Sequence, residues 1–313
     1  MLCTFRLRYI VKVGDLRRSR RLAALGLIAT CLSLSSCLIP ENVREYDAFL
    51  KMHVLHNPQI VGANLSIAGH PLHYRSVGQA NRAVALWIHG TPGSWSDIGL
   101  LLADDTFTQQ VRLVSMDRPG WGGSAEQAQD FELGSFAANS AAIGELLKRL
   151  KREHPQVPLI VAGHSWGGSI VPTIAADHAN LVDGAIVLAA SLDPQLAKPR
   201  WYNRLAAIDL VSALLGAKLR GANKEVFALP AQLTQQQKRL AQLRMPIVVI
   251  QGLADRLVHP KNADFAERHL DAASSRVIRL PHQGHLMQVE QTELIGRCIL
   301  ALADAVLADC QAN

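Results

Sequence analysis

Ser165 lies in a tight, glycine-bounded motif that could carry nucleophilic chemistry. The motif is Gly-His-Ser-Trp-Gly at 163–167, between an apolar run at 158–162 and a small-residue stretch at 168–171 that can begin a helix. On a sharp turn from strand to helix, the serine hydroxyl is pushed out of the sheet, and side chains at the glycine positions would collide with the neighbouring strand and helix. Because a serine hydroxyl is a poor nucleophile at neutral pH, this chemistry requires a base within hydrogen-bond reach.

Four further motifs supply groups that could complete such a site. His-Gly-Thr-Pro-Gly at 89–93 follows a strand pattern, and Asp-Arg-Pro-Gly-Trp-Gly-Gly-Ser lies at 117–124. Asp255 follows the apolar run 247–250, and His285 follows the next such run. A histidine can take the serine proton and return it to the leaving group, while a carboxylate holds the imidazole in the required tautomer. The serine motif is weak evidence alone, but the set of motifs in this order supports it.

With the order serine, acid, histidine, the chain resembles the α/β-hydrolase family from about residue 58 to the end of the sequence. The resemblance implies that Ser165 is the nucleophile, His285 the base and Asp255 the acid. It also implies an oxyanion hole made by two N–H groups, one from Trp166 and one from the loop after residue 90. Because the second residue of that loop is a proline without an N–H, Thr91 is the expected donor there.

Other residues of the same types lie near these candidates. Asp193 follows the predicted sixth strand and could serve as the acid in a variant arrangement. His282 lies three residues before the expected base and could be mistaken for it. Asp117 is expected to fix its own loop. His89 and His164 are expected to be structural parts of their motifs, since neither position normally transfers protons in the family.

The serine at position 165 also selects among the reactions of this family. Epoxide hydrolases and haloalkane dehalogenases of the fold use an aspartate there, because they form an alkyl ester by displacement at carbon, whereas serine indicates acyl transfer. The loops at 89–93 and 117–120 look similar to those of proline iminopeptidases, carbon–carbon-bond hydrolases and small esterases. Thr91 departs from the glycine that is usual in the peptidases, and residues 194–244 lack an obvious acidic cluster for a substrate amino group.

The sequence therefore predicts a serine hydrolase that acts on carboxylic esters or related small acyl compounds, with no metal and no cofactor. An aminopeptidase-like or carbon–carbon-bond hydrolase of the same fold is an alternative, and a lipid-anchored binding protein that has lost catalysis is another. The intact set of Ser165, Asp255 and His285 argues against lost catalysis, because drift would be expected to break one of the three.

Nearly continuous apolar runs predict the strands that position these residues. Such runs are typical of strands buried on both faces of a parallel sheet. Their alternation with helical patterns predicts a doubly wound, mostly parallel α/β sheet with active loops at the carboxyl ends of the strands. Strands are expected at 60–67, 72–77, 84–88, 111–116, 159–162, 185–189, 247–250 and 277–280, and helices at 98–103, 136–152, 168–178, 263–270 and 293–308.

About 50 residues after the predicted sixth strand interrupt this alternation. They are expected to form a small helical cap over the site at about 194–244, with helices near 202–219 and 234–243. Packing of the cap onto the core explains any one of its apolar residues more simply than substrate contact does. Six of them are nevertheless candidates for the pocket wall: Trp201, Tyr202, Leu205, Leu214, Leu215 and Phe227.

The start of the chain has the pattern of an export signal. Arg-Arg-Ser-Arg-Arg at 17–21 precedes an apolar core at 22–34, and Leu-Ser-Ser-Cys at 34–37 resembles the bacterial lipobox. The resemblance implies that Cys37 is lipidated and becomes the mature N-terminus. Because Leu38 and not an aspartate follows, it further implies sorting to the outer membrane.

The chain is thus expected to consist of a lipoprotein signal peptide at 1–36, a tether at 37–57 and an α/β-hydrolase domain at 58–313. The lipid anchor would hold it at a membrane of the bacterial cell envelope, facing the periplasm. An uncleaved spanning helix at 22–39 and a simple secreted form are the alternatives.

Charge and cysteine usage exclude two further classes. Of 32 basic and 26 acidic residues, seven basic and one acidic lie in residues 1–36, which leaves 25 of each in the remainder and argues against a nucleic-acid partner. Of the five cysteines, Cys298 and Cys310 lie beyond the leader, on one predicted helix. Twelve helical residues span about 18 Å, too far for a disulfide, so none is expected.

Overall fold

The computed structural model describes residues 41–67, 70–125 and 131–312. The chain forms two compact units, residues 1–49 and residues 50–313. The described part of the first unit is helix α1, Glu41–Phe49. No helix within these described ranges is long and apolar enough to cross a bilayer. The predicted leader, including Cys37, lies outside the described residues.

One sheet, with eight strands in the described residues, forms the framework of the second unit. Along the sheet, the first and second strands in the chain pair antiparallel, as do the second and fourth, and the remaining pairs are parallel. In chain order the strands are β1 Val61–Ile67, β2 His70–Val77, β3 Ala83–Ile88, β4 Val111–Met116, β5 Leu159–His164, β6 Gly184–Leu188, β7 Ile247–Gly252 and β8 Ser275–Leu280. Their spatial order is β1-β2-β4-β3-β5-β6-β7-β8.

Helices connect and flank these strands. They are α2 Gly99–Leu102, α3 Asp105–Thr108, α4 Phe136–Glu153, α5 Trp166–Asp177, α6 Trp201–Ala206, α7 Asp209–Leu214, α8 Ala217–Leu240, α9 Asn262–His269, α10 Met287–Glu290 and α11 Thr292–Ala303. Shorter turns of 3₁₀ helix lie at Trp95–Ile98, Gly122–Ser124 and Leu307–Asp309, and a π-helical turn lies at Leu50–Val54.

Local sequence explains where helix α4 begins and which side of it is buried. The Ser135 hydroxyl accepts a hydrogen bond from the Ala138 N–H at 3.2 Å and so caps α4. Ile143, Leu147 and Leu150 recur at helical spacing and are fully or almost fully buried. The amphipathic pattern that predicts this helix is therefore the pattern that packs it onto the core.

The predicted fold class is confirmed. Each predicted strand is present, with ends within two residues of those expected. Strands β3, β5, β6 and β7 are buried along their whole lengths, as continuous apolar runs indicate. Because β4 and β5 lie on opposite sides of β3, the winding of the sheet reverses there, and the carboxyl ends of β3 and β5 border a crevice.

Residues 194–244 contain three helices where the sequence predicted two. Helices α6 and α7 occupy the first predicted segment, and α8 begins at Ala217, well before the second. Pro230 lies inside α8 without ending it. Its missing N–H removes one helical hydrogen bond, but burial of Leu229 and Leu233 on the same helix offsets that loss.

The predicted absence of a disulfide is wrong. Helix α11 ends at Ala303, five residues before its predicted end, and Ala305 has a φ of 57°, in the left-handed region. The chain turns back there, so Cys310 lies beside Cys298 with a Cα–Cα distance of 4.4 Å, and the two form a disulfide. The prediction failed because it placed both cysteines on one straight helix.

Candidate active site

Ser165 lies on the turn between β5 and α5. Its φ of 55° is positive, which is uncommon for a residue with a side chain and occurs where the surrounding structure holds the backbone. Glycine is required on both sides of it. A Cβ at Gly163 would lie 2.4 Å from the Gly167 carbonyl oxygen, and a Cβ at Gly167 would lie 2.3 Å from the His89 carbonyl oxygen. The pentad therefore forms the strained turn that its sequence predicts.

Two later loops bring a histidine and a carboxylate to this serine. His285 follows β8 and Asp255 follows β7. The His285 Nε2 lies 3.1 Å from the Ser165 Oγ, and the His285 Nδ1 lies 2.8 Å from the Asp255 Oδ2. In a neutral imidazole with its proton on Nδ1, that N–H donates to the carboxylate and Nε2 accepts from the hydroxyl. The structure thus brings together the three residues that the sequence assigned to a nucleophile, a base and an acid.

Asp255 is held in its ionised form. Burial by itself would raise the pKa of Asp255, but the hydrogen bond with His285 and those from the Val258 and Leu257 N–H groups outweigh it, so the pKa is lowered. The two backbone donors lie 2.9 and 2.8 Å from the Asp255 Oδ1. The carboxylate therefore has a fixed orientation as well as a fixed charge.

Two buried histidines support the site without touching the Ser165 hydroxyl. The His164 Nε2 donates to the His285 carbonyl oxygen at 2.8 Å. The His89 Nδ1 donates to the Gly90 carbonyl oxygen at 2.7 Å, and its Nε2 accepts from the Arg118 N–H at 3.0 Å. Burial lowers the pKa of each histidine to about 3. Both are therefore neutral at physiological pH, in the structural roles that the sequence predicts.

The two expected oxyanion donors lie on loops that meet at the crevice. Trp166 is the first residue of α5, where a backbone N–H has no partner inside the helix. Thr91 follows β3, and both residues line the cavity that contains Ser165. The Thr91 side-chain oxygen is buried and has no hydrogen-bond partner among the described residues.

Sequence reasoning missed a buried ion pair beneath these loops. Arg118 and Glu225 are both fully buried, with 2.7 Å between the Arg118 Nη1 and the Glu225 Oε1. The Arg118 side chain also donates to the carbonyl oxygens of His89 and Gly90, at 3.0 and 2.8 Å. Its guanidinium lies 4.1 Å from the centre of the Trp166 ring. One side chain thus contacts both of the loops that carry the expected oxyanion donors, and helix α8 of the cap.

The pair could not be found from spacing, because 107 residues separate its two members. The only signal in the sequence is that Glu225 is one of two acidic residues, with Asp209, in the predicted cap at 194–244. The Trp121 Nε1 donates to the same carboxylate at 2.9 Å, so Glu225 accepts hydrogen bonds from two side chains of the 117–124 motif.

The alternative candidates lie elsewhere. The Asp193 carboxylate accepts from the Gln195 N–H at 2.8 Å, and His282 is exposed. Within the described structure, neither residue is hydrogen-bonded to His285 or Ser165. Asp117 fixes its loop as predicted, since its carboxylate accepts from the backbone N–H groups of Trp95 and Gly123 at 2.8 Å each.

A cavity of about 820 Å³ opens at Ser165 and His285. Its walls come from the loops after β3, β5, β6, β7 and β8 and from the cap. Of the six pocket candidates, Tyr202 and Leu215 line it. The other four do not line it and are exposed instead, so the expectation is corrected for Trp201, Leu205, Leu214 and Phe227. Side chains of α8 replace them in the wall, namely Leu219, Val226 and Leu229.

No group of three or more His, Cys, Asp or Glu residues in the described ranges has a geometry that could hold a metal ion.

Known proteins resemble this chain over its central part and in its fold. The model of the serine aminopeptidase family S33 matches residues 79–228. Epoxide hydrolase 3 of Xenopus tropicalis is 27% identical over 125 residues, which are 39% of this chain and 32% of the relative. The match thus spans about a third of the length of that relative.

Solved structures resemble the chain over more of its length. A membrane phospholipase A, described as a bacterial virulence factor, has a TM-score of 0.62 at 17% identity and covers 91% of this chain and 99% of its own. A thioesterase domain from the curacin biosynthetic pathway has a TM-score of 0.57 at 17% identity, with coverages of 77% and 99%. At these identities the likeness is one of fold.

Proposed function

We propose that this chain, which has the α/β-hydrolase fold, is a serine hydrolase of carboxylic esters or related acyl compounds. The observation that carries the proposal is the chain of hydrogen bonds from Asp255 through His285 to Ser165, at 2.8 and 3.1 Å. A serine hydroxyl bonded to an oriented imidazole at the edge of a cavity is the arrangement that acyl transfer requires.

The geometry supports a two-step reaction. The Ser165 Oγ attacks the substrate carbonyl carbon while the His285 Nε2 takes the hydroxyl proton, and the Asp255 carboxylate stabilises the resulting imidazolium. The N–H groups of Trp166 and Thr91 donate to the negative oxygen of the tetrahedral intermediate. The intermediate collapses as His285 returns the proton to the leaving alcohol, which leaves an acyl ester on Ser165. Water, activated by the same imidazole, then releases the acid and restores the serine.

Serine at the nucleophile position favours this reaction over epoxide opening. The epoxide hydrolase that resembles the chain matches it over 125 residues. A carboxylate nucleophile in that family forms an alkyl ester at carbon, and a water then hydrolyses the ester. Ser165 would instead form an ether by such a displacement, and an ether has no carbonyl that the oxyanion hole could activate for release.

The cavity favours an ester over a peptide with a free amino terminus. A substrate ammonium requires a carboxylate partner when it leaves water. Among the described residues that line the cavity, Asp255 is the only carboxylate, and it is bonded to His285. Glu225 of the cap is fully buried against Arg118. The S33 match therefore supports the hydrolase class more than an aminopeptidase specificity.

A fluorophosphonate probe tests the nucleophile. It should label the wild-type protein and the Ser191→Ala variant, which loses another serine of the cavity wall, but not Ser165→Ala. Turnover of p-nitrophenyl esters should fall by several orders of magnitude in Ser165→Ala with an unchanged circular-dichroism spectrum. Substantial activity in that variant would contradict the role of Ser165 as the nucleophile. Faster cleavage of aminoacyl anilides than of esters would favour the aminopeptidase alternative.

We further propose that the protein is a lipoprotein of the bacterial cell envelope, anchored through Cys37 to the outer membrane and facing the periplasm. The lipobox-like pattern supports this location, and so does the Cys298–Cys310 disulfide, since disulfides persist in oxidising compartments. Radiolabelled palmitate should enter the wild-type protein and not Cys37→Ser, which should keep its leader. Absence of label from the wild type would rule out the lipobox.

A further inference from the structure

Helices α6 and α7 carry an exposed apolar surface. Neither helix buries a single residue. A surface helix normally buries one apolar side, so the apolar side chains here lack the partner that such a pattern requires. We call this set of exposed side chains the cap face: Trp201, Leu205, Ile208, Leu210 and Leu214, of which Trp201, Leu210 and Leu214 are 75%, 76% and 82% exposed. Large apolar side chains grouped in this way mark a surface for interaction.

Exposed basic side chains flank the cap face along the chain. Residues 194–224 contain six basic residues, all exposed, and one acidic residue, Asp209. Within the described structure, Lys198, Lys218 and Lys224 make no ion pair that would neutralise them. The six are Lys198, Arg200, Arg204, Lys218, Arg220 and Lys224. The partner that complements this surface must therefore combine apolar material with negative charge.

The cap face is continuous with the entrance of the active-site cavity. Tyr202, Leu215 and Leu219 line the cavity, and the first two directly follow Trp201 and Leu214 in the chain. Each of the three lining residues remains partly exposed, from the intermediate Leu215 to the 53% exposed Leu219. An apolar path therefore leads from the cap face to the cavity wall.

We propose that the cap face docks on a bilayer that contains anionic phospholipid. The apolar side chains enter the boundary of the acyl chains, and the surrounding lysines and arginines bind the phosphate headgroups. This combination of an apolar side with a basic border is the one that binds helices in the plane of an anionic membrane. A second copy of the chain fits less well, because pairing two cap faces would bring two basic borders together.

Docking in this way would turn the cavity entrance toward the bilayer. If Ser165 is the nucleophile proposed above, the acyl chain of a membrane lipid could then reach the apolar cavity wall without crossing water. This part rests on the proposed function, whereas the docking of the cap face does not.

Trp201 provides a reporter for the test. It is 75% exposed, and the other four tryptophans of the chain, Trp87, Trp95, Trp121 and Trp166, are at most 9% exposed. The emission of the wild-type protein minus that of Trp201→Phe therefore reports on the cap face. The full chain is reconstituted into vesicles of phosphatidylcholine, with or without phosphatidylglycerol, whose acyl chains are brominated or unbrominated.

We expect brominated chains to quench most of the Trp201 emission in vesicles with phosphatidylglycerol and much less of it in vesicles without. Leu214→Asp should abolish this quenching, and the double variant Lys218→Glu/Lys224→Glu should remove its dependence on the anionic lipid. Val61→Asp, at a 60% exposed position of β1, and Lys238→Glu, at the other end of α8, are the matched controls and should behave like the wild type.

Three results would overturn the proposal. The first is an absence of quenching in every vesicle, and the second is quenching that is the same in all variants and lipids. The third is a homodimer of the wild type that Leu214→Asp dissociates, which would make the cap face an interface between copies.

Hydrolysis of the water-soluble p-nitrophenyl acetate is measured on the same samples. Quenching without hydrolysis would reject the proposed function and leave the docking intact, and Leu214→Asp should hydrolyse this ester at the wild-type rate.

Discussion

At the scale of single residues, the site depends on groups that must stay uncharged. His164 donates from Nε2 to the carbonyl oxygen of His285, and His89 accepts from the Arg118 N–H, so each has one proton and one defined tautomer. A second proton on either ring would be buried, and on His89 it would also face an N–H group. The geometry of the candidate site therefore depends on the neutral state of two histidines that do not contact the Ser165 hydroxyl.

We predict that the requirement for a neutral His164 makes the free energy of unfolding sensitive to mild acid. The pKa of His164 is lowered to about 3 in the native protein from an ordinary value of 6.5. Between pH 3 and pH 6.5, His164 binds a proton in the unfolded chain but not in the native chain. The contribution of His164 to the free energy of unfolding is therefore fully present above about pH 6.5, and it is lost as the pH falls toward 3. The free energy of unfolding should lose about 1.4 kcal/mol per pH unit for this histidine in that range.

Urea unfolding of wild type and His164→Gln at pH 7 and pH 5 measures the effect. Glutamine keeps a donor near the position of Nε2 but cannot take a second proton, so the variant should lose less stability on acidification. The exposed His282→Gln is the control and should follow the wild type. Equal pH slopes for wild type and His164→Gln would show that His164 does not titrate with folding.

A second prediction at this scale separates the backbone of Thr91 from its side chain. The buried Thr91 hydroxyl has no partner in the described structure, and an unsatisfied buried polar group costs about 1–3 kcal/mol. If the backbone N–H is the oxyanion donor, Thr91→Val should keep kcat and raise the free energy of unfolding by about 1 kcal/mol. A loss of kcat of about a hundredfold would instead assign the donor to the hydroxyl. Ester turnover and urea unfolding of the same preparation give both numbers.

Single residues of the site could be predicted because each lies close to the carboxyl end of its strand. Ser165, Asp255 and His285 are separated from the ends of β5, β7 and β8 by at most five residues, so their positions follow once the strands are recognised. Arg118 was visible only as part of a motif. Its role depends on Glu225, which is 107 residues away, and no local pattern reports a contact of that range.

At the scale of elements, helix α8 joins the cap to the core in two ways. Near its start, Glu225 reaches Arg118 beneath the oxyanion loops. Farther along, the Gln236 side chain donates to the Ser169 carbonyl oxygen on α5 at 2.7 Å. Helices α6 and α7 have no buried residue and depend on α8 for their position, in part through the Asn203–Asn223 hydrogen bonds at 3.0 Å.

We predict that Glu225→Gln lowers both stability and turnover. Removing one charge of a fully buried pair leaves the other uncompensated, which should cost about 3–5 kcal/mol of unfolding free energy. Turnover should fall as well, because Arg118 holds the His89 and Gly90 carbonyl oxygens through the same guanidinium. Urea unfolding and steady-state kinetics measure the two effects.

The double variant Arg118→Met/Glu225→Leu is the informative comparison. Replacing both charges by apolar groups should recover much of the stability, since a buried ion pair is often no more stable than an apolar pair. Turnover should stay low, because methionine cannot donate to the two carbonyl oxygens. Recovery of kcat to the wild-type value would show that the pair only supports the fold.

Cap elements were the part of the fold that the sequence predicted least well. The sequence predicts one helix near 202–219 where the structure has two, Trp201–Ala206 and Asp209–Leu214, and it predicts the next helix to begin well after Ala217, where α8 begins. Periodicity identifies a buried side of a helix, and α6 and α7 have none, so the usual signal is missing. Trp201 and Leu214, which the sequence predicts in the cavity wall, are among these exposed residues and lie outside it.

At the scale of the whole molecule, the disulfide closes the last described segment of the chain onto α11. Cys298 and Cys310 are fully buried, twelve residues apart. Closing a loop of about that length removes conformational freedom from the unfolded chain and should contribute about 3 kcal/mol to stability. The sequence did not predict it, because the left-handed turn at Ala305 uses a residue without a local turn signature.

We predict that Cys310→Ser and reduction of the wild type lower the melting temperature equally. Cys298→Ser/Cys310→Ser should be no less stable than either single variant, because the bond is already absent in each. Differential scanning calorimetry with and without dithiothreitol measures all four proteins. A melting temperature that does not change with the reductant would mean that the two thiols are not bonded in solution.

The candidate site is assembled from distant parts of the chain. Ser165 and His285 are 120 residues apart, and Asp255 and His285 are 30 apart. The three meet only when β5, β7 and β8 have all taken their places in one sheet, so a compact intermediate that keeps its helices would hold no working site. Turnover therefore counts fully native molecules, whereas circular dichroism also counts partly folded ones. In a denaturant titration, a loss of esterase activity ahead of the helical signal would identify the concentration at which the sheet first opens.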